Sequence, residues 1–119
     1  MAIKLIKDRI KDFFDREIIQ EALLAYKWRF PDKVDVTISR SSDGGYVVEI
    51  KNLPGCLTQA EDGRKIFEMV NDAIYTYLKI PQKYYPFMPV FFPSEEVREQ
   101  FKIEIPAKYL SKDLVLQRT

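Results

Sequence analysis

The chain contains no histidine, which removes the commonest general base near neutral pH and the commonest metal ligand at once. Zinc sites built from cysteine and histidine are excluded with it. A single cysteine, Cys56, cannot close an internal disulfide, and a reducing, cytoplasmic setting is expected. No apolar run approaches the roughly 20 residues needed to cross a bilayer, so no membrane role is expected. The first thirty residues carry too many alternating charges for a secretory signal. Charge of one sign is also lacking: 19 Lys and Arg against 18 Asp and Glu leave a net charge of +1, too little to gather nucleic acid over distance. No Walker-type phosphate loop, internal repeat or low-complexity tract is present.

What remains is an ordinary globular composition. With 119 residues, 46% hydrophobic and 31% charged, one domain with a modest core is the expectation. Its most ordered pattern lies between Val34 and Leu78. Val34, Val36 and Ile38 alternate before the turn residues Asp43, Gly44 and Gly45, and Tyr46, Val48 and Ile50 alternate after them, so a β-hairpin is predicted with the turn supplying positive φ angles. Asn52, Leu53, Pro54 and Gly55 then break the run, with proline at the first corner and glycine at the second of a type II turn. Cys56 to Ala60 return as a third strand. Asp62 is placed to cap a helix whose apolar positions, Ile66, Phe67, Val70, Ala73, Ile74, Tyr77 and Leu78, form one stripe.

This pattern resembles the HicB-like antitoxin family. The family's core reads Gly-Gly-Tyr and two apolar residues, matched by Gly44 to Val48; a Leu-Pro-Gly-Cys turn, matched by Leu53 to Cys56; a Thr-Gln pair, matched by Thr58 and Gln59; and an amphipathic helix. Gly63 departs from it, standing where the family usually has an apolar residue that packs onto the sheet, and looser packing is expected there. The resemblance implies a reduced ribonuclease H-like core and neutralisation of a small HicA-type ribonuclease toxin by covering its active surface. Tyr46, Leu53, Pro54, Gly55 and Thr58 are the candidate partner-binding residues. Many members carry a DNA-binding ribbon-helix-helix or helix-turn-helix after the core. Here Phe101 to Pro106 and Ala107 to Gln117 match only the strand and first helix of the former, so DNA binding is left open.

Two extensions flank the core. Ile3, Ile6, Ile10, Phe14, Ile18, Ala22 and Ala25 step by three or four residues and predict one helix from Ala2 to Tyr26, about 37 Å long at ~1.5 Å per residue. Such a helix outgrows a domain of this size, and homo-oligomers are expected from its surplus apolar face. After Ile80, five prolines and Tyr84, Tyr85, Phe87, Phe91 and Phe92 predict an ordered but irregular tail. Ser94 is placed to cap a short helix through Phe101, and Phe101, Ile103 and Ile105 alternate like a fourth strand.

The expected architecture is therefore α+β: a three- to four-stranded, antiparallel-rich sheet with one amphipathic helix packed on it, and an N-terminal helical extension. Its parts are 1–33, the core 34–80, and a proline- and aromatic-rich extension 81–119. Chemistry is sparse. Asp35 on the first strand, Glu49 on the second and Asp72 on the helix are the candidates for two-metal hydrolysis, and each fits a solvated face better. Cys56 sits where a small apolar residue packs. No catalytic residue, metal site or cofactor is expected, and the leading expectation is protein–protein binding. The alternatives are a nucleic-acid-binding regulatory module using Lys102, Lys108, Lys112 and Arg118, and a homo-oligomeric scaffold without a toxin.

Overall fold

A computed structural model describes residues 18–110, and these fall into two compact units. One comprises residues 18–32 and 78–89, the other residues 33–77 and 90–110.

In the first unit, helix α1 spans Gln20–Lys27. The unbroken helix expected from Ala2 to Tyr26 does not form: Ile18 and Ile19 are not helical, and Ile19 takes an extended backbone (φ −99°, ψ 120°). Residues 1–17 lie outside the described residues. Two successive β-branched residues suit extended backbone, and the Ile19 N–H donates to the Tyr84 hydroxyl at 3.2 Å. Tyr84 lies on a 3-10 helix, Gln82–Phe87, and is buried with its ring 5.0 Å from that of Tyr26. The Arg29 guanidinium lies over the Tyr26 ring and donates to the Leu78 carbonyl at 2.8 Å. Trp28, by contrast, is 85% exposed.

The second unit holds an antiparallel sheet ordered β1-β2-β3, with β1 Val36–Arg40, β2 Tyr46–Ile50 and β3 Leu57–Ala60. Val36 pairs with Ile50, Ile38 with Val48 and Arg40 with Tyr46; across the other ladder Tyr46 pairs with Ala60 and Val48 with Thr58. Opposed residues share a face, so Val36, Ile38, Val48, Ile50, Thr58 and Ala60 form the inner surface. Thr37, Ser39, Glu49, Leu57 and Gln59 point away and are exposed. A 3-10 turn, Gly63–Lys65, leads into helix α2, Ile66–Tyr77. Its Ile66, Phe67, Val70 and Ile74 close over the sheet, leaving Val48, Ile50 and Ile74 at most 1% exposed. Burial of each such side chain contributes about 1.5–3 kcal/mol.

The hairpin turn differs from expectation in one respect. Only Gly44 takes a positive φ, of 97°. Asp43 contributes its carboxylate instead, accepting from the Gly45 N–H, and Gly45 is glycine because a Cβ there would stand 2.7 Å from the Ala60 carbonyl oxygen.

A strap from Val90 to Tyr109 covers the inner side of this unit. Asn71, buried on α2, receives the Phe91 N–H at 2.8 Å and donates its amide to the Phe91 and Phe67 carbonyls. Ser94 caps helix α3, Glu95–Phe101, by accepting from the Val97 N–H. The expected fourth strand is absent among the described residues. Lys102 instead takes a left-handed backbone (φ 55°), and the Lys102 and Ile103 N–H groups turn back to the Glu99 and Arg98 carbonyls in a Schellman stop. Phe101 is thus the last residue of a helix. The packing expected to be loose at Gly63 is in fact closed: Gly63 is buried, and a Cβ there would collide with the Phe101 carbonyl group. Strap backbone takes the place of a side chain.

Candidate partner-binding surface

An exposed feature of the second unit that is fastened from several sides is the bend between β2 and β3. Cys56 N–H donates to the Leu53 carbonyl at 2.9 Å across Pro54 and Gly55, and Gly55 sits at φ 84°, the geometry of a type II turn. Leu53 and Cys56 anchor the bend from below, at 9% and 4% exposure. From the helix, the Tyr77 hydroxyl donates to the Pro54 carbonyl at 2.9 Å. On the β1 side, Asn52 accepts the Asp35 N–H and donates to the Lys33 carbonyl, both at 2.9 Å. Pro54 and Gly55 are left exposed on a fully fastened frame. Ordering such a corner on binding carries little entropic penalty.

The other candidate residues lie elsewhere. Tyr46 is at the far end of β2, roughly 14 Å away along the strand. It is half-buried, packed edge-on against Phe101 at 5.5 Å with the Arg40 guanidinium over its ring. Thr58 faces inward opposite Val48 and is half-buried. Of the five sequence candidates, only Pro54 and Gly55 therefore meet solvent together. Asn52 and Tyr77 were not among them, although both carried a signal. An Asx residue opening a turn seeks backbone partners, and a tyrosine ending an apolar stripe needs an acceptor for its hydroxyl.

Beside the sheet, an apolar cleft of about 550 Å³ runs between the start of β1, the first half of α2 and the strap, lined by Val36, Phe67, Val70, Phe92 and Val97 among others. No polar side-chain atom buried in the described residues lacks a hydrogen-bond partner.

Electrostatics at the hairpin end are local. The Ser41 hydroxyl and then the Gly45 N–H hold the Asp43 carboxyl below the usual carboxylate range. Asp62, the cap of the α2 entry, is lowered chiefly by the Arg64 side chain at 3.2 Å, and Arg64 is raised in return. Burial pushes the Cys56 thiol up, and its Sγ lies 3.7 Å from the Ala73 carbonyl. Asp35 precedes β1, Glu49 lies on β2 and Asp72 on α2, and each is exposed. Among the described residues no three His, Cys, Asp or Glu side chains are grouped to hold a metal ion. Nor is any described helix long and apolar enough to cross a membrane.

No protein-family pattern matches the chain, and no solved structure matches it. Curated relatives do. A "UPF0150 protein" of Archaeoglobus fulgidus is 42% identical over 48 residues, which make up 40% of this chain and 70% of the relative. A "UPF0150 protein" of Thermoplasma acidophilum is 35% identical over 52 residues, 44% of this chain and 75% of the relative. With more than two thirds of each relative covered, the chain belongs to the UPF0150 family.

Proposed function

We propose that this chain is a HicB-like antitoxin, or an orphan relative of one, that acts in the cytoplasm by protein–protein contact and without catalysis, metal or cofactor. Its partner is a small ribonuclease toxin of HicA type, whose active surface it covers. The observation that carries this reading is the bend at Pro54 and Gly55, exposed to solvent yet fastened by Asn52, Tyr77 and the buried Leu53 and Cys56. A docking platform requires that combination, because a mobile loop would lose affinity to ordering. Family membership supports it, as does the similarity of Gly44 to Gln59 to the HicB-like pattern. The test is affinity purification from the native host followed by mass spectrometry. One small basic protein recovered in matched amount is the expected result; self-copies alone would overturn the toxin assignment.

A further inference from the structure

The sheet has an edge that nothing in the described chain closes, and its hydrogen-bonding phase can be read from its two ends. Lys51 N–H donates to the Asp35 carbonyl at 2.7 Å, and Ser41 N–H donates to the Gly45 carbonyl at 2.8 Å. Odd-numbered residues of β1 therefore aim their backbone groups at β2. By alternation, Val36, Ile38 and Arg40 aim theirs outward. No described strand lies beside them, since β1 is terminal in the sheet. The usual protections of an edge are also missing: β1 has no proline, and its only charge is Arg40 at the hairpin end.

We infer that this edge pairs with β1 of a second copy, antiparallel about a two-fold axis through Ile38. In that register Ile38 faces Ile38 of the other copy, and Val36 faces its Arg40. Every outward N–H and C=O of β1 then finds a partner, whereas any other register leaves one outward pair beyond the strand ends. The charges do not oppose it. The two Arg40 side chains sit at opposite ends of the joint, roughly 14 Å apart, beyond a Debye length of about 8 Å and so largely screened from one another. Half-buried Ile38 gains an apolar neighbour on the inner face, and Val36, 38% exposed, is covered by the aliphatic stem of the Arg40 opposite it. The product is a six-stranded sheet with β3 at both outer edges. This pairing is independent of whether a toxin partner exists.

The full chain, alone in solution, tests it. Sedimentation velocity should show a concentration-dependent dimer; a monomer at all concentrations up to the millimolar range would overturn the inference. Val36→Pro removes an outward N–H at the first residue of an edge strand, where proline leaves the β1–β2 ladder intact. It should weaken the dimer more than about tenfold with an unchanged far-ultraviolet circular dichroism spectrum. A folded variant that dimerises as before overturns the inference. The second measurement does not depend on that variant folding. Thr37 and Ser39 lie on the exposed outer face and become direct opposites across the two-fold, with Cα atoms about 4.5 Å apart, within disulfide reach. Thr37→Cys with Ser39→Cys should give a covalent dimer on oxidation. Thr37→Cys alone, whose two copies stand about 8 Å apart, should not, being beyond the ~7 Å limit. Equal cross-linking by the two variants, or none by the double variant, overturns the register. A monomeric chain that still captures a toxin would sink this pairing and leave the proposed function standing.

Discussion

The core from Lys33 to Tyr77 and the strap from Val90 to Tyr109 belong to one compact unit but are fastened by different means. The core is assembled from neighbours in sequence: a two-strand hairpin, a tight bend, a third strand and a capped helix, each dictated by residues within a few positions. Local signals form the one α-helix of the strap, capped by Ser94, but none of them fixes where the strap lies. It is held where core side chains stand in for backbone, as Asn71 does for a neighbouring strand, and where backbone stands in for a side chain, as Phe101 does at Gly63. Local signals settle which elements form. Placement of an irregular segment depends on single residues far from it in sequence, so its points of attachment should be few and individually costly to lose.

Substitution at Gly63 carries the largest expected effect. Gly63→Val forces a branched side chain into the Phe101 carbonyl and should destabilise the chain by about 3 kcal/mol, read as a lowered urea midpoint. An unchanged midpoint would mean that the strap peels away at no loss, and the contrast between the two regions would collapse. Asn71→Leu comes next. It keeps the volume but strips the Phe91 N–H and carbonyl of their buried partner, an expected loss of about 2 kcal/mol, with proteolysis at Arg98 or Lys102 hastened relative to the core. Smallest is the effect of pH at Asp62, which belongs to the core alone. The Arg64 side chain holds its carboxyl below the ordinary value of 3.8, so its stabilisation is full above that pH and is lost as pH falls through the lowered folded value. Asp62→Asn retains a capping acceptor but should flatten that part of the acid dependence, measured as urea midpoints across the range.

Most of the core could be read from the sequence because its signals are short-range. The Pro54-Gly55 bend, the Asp62 cap and the apolar stripe of α2 each announce themselves within one turn of chain. The α+β architecture followed from them. The strap was harder for a physical reason. Phe101, Ile103 and Ile105 alternate with exposed Lys102 and Glu104, and the burial does alternate, but the alternation comes from a helix end and an extended segment with no ladder beside it. Period alone cannot separate such a segment from a strand. At Ile19 a long-range bond from its N–H to the Tyr84 hydroxyl accompanies an extended residue in a helical pattern. The candidate surface divided in the same way. Pro54 and Gly55 could be read as a turn, whereas the burial of Tyr46 beneath Phe101 depended on a strap whose path the sequence did not reveal.

Trp28 is the sole tryptophan and stands 85% open to solvent. Its indole fluorescence therefore starts from a water-exposed emission and changes little when the sheet unfolds, which makes it a poor thermometer of stability. The same indifference makes it a clean optical beacon, because a blue shift on mixing with another molecule reports desolvation of the indole, free of interference from any other indole in the protein.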